Sequence, residues 1–183
     1  LRLSVYQGSN QNFKVTAYAE KRETPFIPNG VVGELINVVI VKVEFLNGSP
    51  SDASLNLYYG EKTLTAPLTY NPVSEKCTAS INVESLPSSP SVTVEITTGE
   101  TTEKLTLSSV IFNNTISYQE AINSAVNADK ELSNKLFSGE VLAEINVRII
   151  VGDGKNYYYV GLVEKGGNTT AYLVDGDTGS VLA

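Results

Sequence analysis

Histidine, methionine and tryptophan are absent from the 183 residues, and cysteine occurs once. Without histidine, neither a Ser-His-Asp triad nor an imidazole general base can be assembled. A single Cys cannot form an internal disulfide, and with no His beside it the usual nitrogen and sulfur ligands of a zinc centre are missing. Charge is scarce as well. Charged residues make up 18% of the chain, against about a quarter in an ordinary soluble domain, and Ser, Thr and Asn fill the gap. The balance is acidic: 13 Lys and Arg face 20 Asp and Glu, a net charge of −7. The basic residues are scattered, so no phosphate-reading surface is expected and nucleic acid is a poor partner. No apolar run reaches the roughly 18–20 residues that span a bilayer. The longest, Val38 to Leu46, is broken by Lys42 and Glu44. Gly152-Asp153-Gly154 leads into a strand rather than a helix N-terminus, so it is not a phosphate loop. These absences lead to the expectation of no catalytic residue, no metal and no cofactor.

What is present is a foldable, β-rich chain. A hydrophobic fraction of 42% is enough to bury a core. The chain starts at Leu1 and holds no Met, which leads us to expect an N-terminus made by removal of a signal peptide. That expectation places the protein outside the cell, at the cell surface. Three Asn-X-Ser/Thr triplets, at Asn47, Asn113 and Asn168, fall at turns or connections and are candidate acceptors for N-linked glycans. Pro50 follows the first and weakens it.

The first 110 residues read as strands. Leu1, Leu3 and Val5 alternate with Arg2, Ser4 and Tyr6. Phe13, Val15, Ala17 and Ala19 alternate with Lys14, Thr16, Tyr18 and Glu20, giving two strands with one apolar face each. After a break at Pro25, Pro28, Asn29 and Gly30, Leu35 to Leu46 forms a long strand. Val39, Val41, Val43 and Phe45 turn inward, Lys42 and Glu44 outward. Asn47-Gly48 is a strong turn signal, and Gly99-Glu100 a hairpin signature. Strands are predicted over 53–59, 62–68, 76–83, 91–98 and 101–108. Cys77, Ala79, Ile81 and Val83 share one face, so Cys77 is expected to be a buried small hydrophobe. Short strands at this spacing predict an antiparallel immunoglobulin-like β-sandwich.

The pattern changes at Asn113. Ser117-Tyr118-Gln119-Glu120 is a capping box. Ala121, Ile122, Ala125 and Val126 recur at helical spacing; Leu132, Leu136 and Phe137 continue an apolar stripe to Gly139. Strands over 141–151, 156–164 and 169–174 follow, with a short last one at Val181-Leu182. A helix followed by an antiparallel meander is a small α+β unit. The expected organisation is an N-terminal strand segment (1–24), a sandwich (25–112) and the α+β unit (113–183).

From Ile116 to Ala183 the chain resembles the PepSY domain. The helix carries Glu120, Ala121, Ile122 and Ala125, the following strand Tyr157 to Val160, and the closing motif Val174, Asp175, Thr178, Gly179, Val181 and Leu182. The resemblance implies an extracytoplasmic, non-enzymatic module that contacts other proteins.

Among other candidates, Asp175 to Gly179 is read as a tight turn rather than a calcium loop, because the further oxygen ligands are missing. Glu100 and Glu103 are a carboxylate pair of the kind that flanks a glycosidic bond, with nothing in the sequence that places them in a cleft. Tyr157 and Tyr159 share one strand face and Tyr158 the other, so a carbohydrate platform is weighed against plain strand-forming tyrosines. The N-terminus carries the sharpest reading: Leu1, Leu3 and Val5 could leave their own subunit and complete the sheet of a neighbour. Head-to-tail donation does not close on itself and builds a filament. In layout this resembles surface pili and archaeal threads. The expectation is therefore a mainly β, non-enzymatic cell-surface structural subunit whose partners are copies of itself. The alternatives are a monomeric PepSY-type module that binds or restrains a peptidase, and a carbohydrate-binding surface protein.

Overall fold

The computed structural model describes residues 1–25, 27, 33–48, 50, 52–138, 143–164 and 167–183, without the side chains of residues 131, 132, 136 and 143. The protein is mainly β and antiparallel. Its strands are β1 (Arg2–Ser9), β2 (Phe13–Glu23), β3 (Leu35–Phe45), β4 (Ala53–Tyr59), β5 (Lys62–Pro67), β6 (Thr69–Asn71), β7 (Lys76–Val83), β8 (Ser91–Thr98), β9 (Thr101–Ser109), β10 (Ala143–Gly152), β11 (Lys155–Glu164) and β12 (Thr169–Asp175). Two helices, α1 (Tyr118–Ala128) and α2 (Lys130–Ser138), lie between β9 and β10.

The chain forms two compact units that are not successive segments. One comprises Ser4–Lys21 and Ile36–Val110, the other Leu1–Leu3, Arg22–Leu35 and Ile111–Ala183. The last of these breaks falls between Val110 and Ile111. Residues 1–3 and 22–24 fall in one unit and residues 4–21 in the other.

In the first unit the hydrogen-bonded order is β5-β4-β8-β9-β1-β2-β3-β7-β6. Its two ends are one stretch of chain. Residues of β5 pair with β4, from Lys62↔Tyr59 to Pro67↔Ser54, and residues of β6 pair with β7, from Thr69↔Thr78 to Asn71↔Lys76. The strand changes partner at Leu68, which is 7% exposed and whose amide donates to Ala53 O at 2.9 Å. The sheet therefore curls until it is nearly a barrel, an arrangement that leaves few free edges. Sequence alternation predicts one unbroken strand over 62–68. The break arises because a strand that serves both ends of a curled sheet must bend where it changes neighbour.

The period-2 pattern fills the interior of this curl. Phe13, Val15, Ala17, Ala19, Val39, Val41, Val43, Leu55, Leu57, Val94, Ile96 and Leu107 are buried in one cluster. Cys77, Ala79 and Ile81 join it as their alternation predicts. Tyr6 belongs to the same cluster, although alternation with Leu1, Leu3 and Val5 places it on the polar side.

In the second unit β10, β11 and β12 form an antiparallel meander, in register from Gly152↔Lys155 to Ala143↔Glu164 and from Tyr157↔Asp175 to Val163↔Thr169. Asp153 and Gly154 take φ of 51° and 70°, the left-handed pair that a two-residue hairpin turn requires. Helix α1 packs on β11 and β12 through Ala121 and Ala125, both fully buried. Two small residues one turn apart let the helix axis approach the sheet. The capping box forms as predicted: Ser117 Oγ accepts from Glu120 N at 3.2 Å, and Glu120 Oε2 accepts from Ser117 N at 2.8 Å. The apolar stripe of α2 departs from expectation at Phe137, which is 81% exposed. Gly139, Pro28, Asn29 and Gly30 lie outside the described residues. The expected last strand at Val181-Leu182 is a single bridge, Val174↔Val181.

Candidate functional site

Strand β1 is the element on which the sequence places most weight. Its first residues and its later ones have different neighbours. Arg2 pairs in parallel with Arg148 of β10, whereas Tyr6 and Gln7 pair antiparallel with Ser109 and Ser108 of β9. Val110 N donates to Val5 O at 3.0 Å, and β2 lies on the other side of β1 in the sheet order. Leu1 and Leu3 are half-buried and Val5 is buried. The anchor that alternation overlooks is Tyr6. Its ring lies in the core, and its hydroxyl donates to Pro87 O at 3.0 Å with Ser89 O at 3.2 Å beside the same proton. Burial pushes its pKa up. Two residues on, Gly8 has no room for a side chain: a Cβ there would stand 2.8 Å from Thr106 O and 2.9 Å from a Leu107 methyl. A strand whose inward residues are a tyrosine and a glycine is thus matched closely to β9.

The turn after β1 is held from two directions. Asn10 Oδ1 accepts from Asn12 N and Phe13 N, both at 2.9 Å, an Asx turn. Asn10 Nδ2 and Asn12 Nδ2 then donate to the two oxygens of Glu103, at 3.0 and 2.7 Å. Glu103 thereby ties the β1–β2 turn to β9. Its notional partner Glu100 is exposed in the β8–β9 turn. A cavity of about 440 Å³ beside the clamp is lined by Asn12, Phe13, Phe45, Asn47 and Glu103 among others, with the two phenylalanine rings edge to face at 6.2 Å.

The remaining sequence candidates separate. Asn47, Asn113 and Asn168 are all exposed. Thr115, the hydroxyl residue of the second triplet, accepts from Asn156 Nδ2 at 2.7 Å. Tyr158 points under α1 and donates to Ile116 O at 2.9 Å, while Tyr157 and Tyr159 are half-buried on the other strand face. The Tyr159 ring lies against Gly161, where a Cβ would meet it at 2.9 Å. Asp175 organises the closing motif. Its Oδ1 accepts from Asp177 N, Thr178 N and Thr178 Oγ1 at 3.0, 2.8 and 3.0 Å. These bonds, the one from the Thr178 amide foremost, hold its pKa below the ordinary carboxylate range. Gly176 is needed because a Cβ would sit 2.5 Å from Asn156 O. Ile116 N donates to Gly176 O at 2.7 Å, which fastens the start of the helical segment to the turn. Cys77 is 1% exposed, and burial raises its thiol pKa, which suits packing rather than reactivity.

Among the described residues no group of three or more His, Cys, Asp or Glu is placed to hold a metal, and no helix is long and apolar enough to cross a membrane. No family model, no curated protein and no solved structure matches the chain.

Proposed function

We propose that the protein is a non-enzymatic cell-surface structural subunit that assembles head to tail by exchange of its N-terminal strand. The observation that carries this reading is the position of β1. It lies inside the sheet, between β9 and β2, and is fitted to β9 through Tyr6 and Gly8. Its departure opens β9 as an edge that the same strand of another copy would fit, because Tyr6 and Gly8 are shaped to it. The immunoglobulin-like and PepSY-like descriptions of the two units, a glycan-bearing surface and an extracellular location belong to the same reading.

The Gln7↔Ser108 pair provides the test. Both residues are exposed and directly opposite, so a Gln7→Cys, Ser108→Cys protein, with Cys77→Ala to remove the native thiol, reports which chain supplies β1. Covalent ladders on a non-reducing gel, with filaments in negative-stain electron microscopy, are the expected result. Disulfides confined to single chains, with only discrete particles, would overturn the proposal.

A second reading, a carbohydrate-binding surface protein, draws on Tyr157 and Tyr159, which share a face of β11. It predicts that Tyr157→Ala weakens glycan binding while the fold, followed by circular dichroism, stays intact. Unchanged affinity would count against it.

A further inference from the structure

We infer that the outer face of β1, β2, β3 and β7 carries a binding site for carboxylate-bearing polysaccharide. A cavity of about 350 Å³ there is lined by Lys14, Lys42, Lys76, Glu44, Gln7 and Tyr18, with neighbouring backbone. Three of the 13 basic residues of an acidic chain thus meet in one groove with one carboxylate. Such a concentration of like charge is unfavourable by itself. It is screened only over about 8 Å at physiological salt, so a bound anion responds to these lysines more than to the chain's distant acidic groups.

The groove already holds one carboxylate. Glu44 sits between two ammonium groups, with Oε2 3.2 Å from Lys76 Nζ and Oε1 4.0 Å from Lys14 Nζ. It neutralises part of their charge and competes with a bound carboxylate for the same cations. Lys42 has its ammonium 5.6 Å from the centre of the Tyr18 ring, a cation–π contact that holds it at the groove. On β2, Glu20 lies two residues beyond Tyr18 and outside the lining.

The polymer class follows from what surrounds the lysines. A peptide recognised as a strand needs a sheet edge, but β1, β2, β3 and β7 are successive interior neighbours in the sheet order. A peptide recognised by its side chains needs apolar pockets, whereas the groove offers the amide of Gln7 and the hydroxyls of Ser9 and Thr16. These groups match sugar hydroxyls. Nucleic acid places more negative charge along its length than three lysines and one glutamate can neutralise.

The test is calorimetric titration of the full chain with an oligogalacturonate at low ionic strength, beside a neutral maltooligosaccharide and poly-L-glutamate of similar length. The acidic sugar is expected to bind, with affinity that falls as salt is added, and the other two to bind far more weakly. Lys14→Gln and Lys42→Gln should each weaken binding about two- to five-fold, the range of single exposed charge pairs. Glu44→Gln should tighten it by a similar factor, because it removes the competing carboxylate. All three positions lie on the outer face, and circular dichroism checks that the variants fold. No binding of the oligogalacturonate, equal binding of the neutral sugar or of polyglutamate, or binding indifferent to all three substitutions would overturn the inference.

Discussion

Single residues hold this fold together at points where polar groups meet buried backbone. Tyr6 is the clearest. Tyr6→Phe keeps the ring in the core but strips the hydroxyl from Pro87 O and Ser89 O, and should cost about 1 kcal/mol. Urea unfolding with an unchanged m-value would check it. Gly176→Ala is expected to cost more, about 1–3 kcal/mol, because the new methyl meets the Asn156 carbonyl and the neighbouring backbone must give way; thermal unfolding would measure it. Glu95 has a pH signature. Its carboxylate accepts from Asn56 Nδ2 at 2.9 Å and Tyr58 OH at 3.1 Å, and pairs with Lys104 Nζ at 3.2 Å. The Asn56 bond and then Lys104 hold its pKa below the ordinary value. A carboxylate depressed in the folded state stabilises above its unfolded pKa, and that contribution is lost as pH falls through the folded value. Acidification from neutral pH should therefore lower the Tm of the native protein more steeply than that of Glu95→Gln. Parallel pH–Tm curves for the two would rule this out.

Elements succeed here where local signals and packing agree. Helix α1 has its capping box and its two buried alanines on the face that the sequence pattern predicts. Ser117→Ala removes both the side-chain acceptor for Glu120 N and the hydroxyl that donates to Glu120 Oε2 at 2.8 Å. It should cost about 1 kcal/mol, visible as faster hydrogen exchange in the first turn of α1. The bend between β5 and β6 has one local signal, Pro67 just before Leu68, since proline interrupts a strand's hydrogen-bond ladder. Pro67 does not tell which strands the chain pairs with on either side; that is set by the need to pair with β4 on one side and β7 on the other. Leu68→Ala, at a buried position, should cost about 3 kcal/mol and loosen β6 before the rest of the unit.

At the scale of the whole molecule the chain passes between the two units after residues 3, 21, 35 and 110. Neither unit is therefore a segment that a single cut releases. A fragment of residues 113–183 lacks Leu1–Leu3 and Arg22–Leu35, and should show poorly dispersed amide resonances beside those of the full chain. A well-dispersed spectrum from that fragment would mean that the meander and α1 suffice. Strand exchange also belongs to this scale, since only a second copy can supply the same β1 to an opened β9.

Periodicity and turn chemistry were enough to read the strands, because alternation records which face of each strand meets the core, and Asn47-Gly48, Gly99-Glu100 and Asp153-Gly154 mark where the chain must turn. The capped helix, the buried Cys77 and the turn at Asp175 were legible for the same reason: each depends on residues within a few positions of one another. Partners distant in sequence were not. Tyr6 reaches carbonyls 81 and 83 residues away, Asn10 and Asn12 meet a glutamate more than 90 residues away, and three lysines on β2, β3 and β7 share one groove only because those strands are neighbours. Local sequence carries no record of such pairings. They were decided by the order in which strands close around a common core, where burying apolar faces and satisfying backbone hydrogen bonds left one arrangement for the rest to follow.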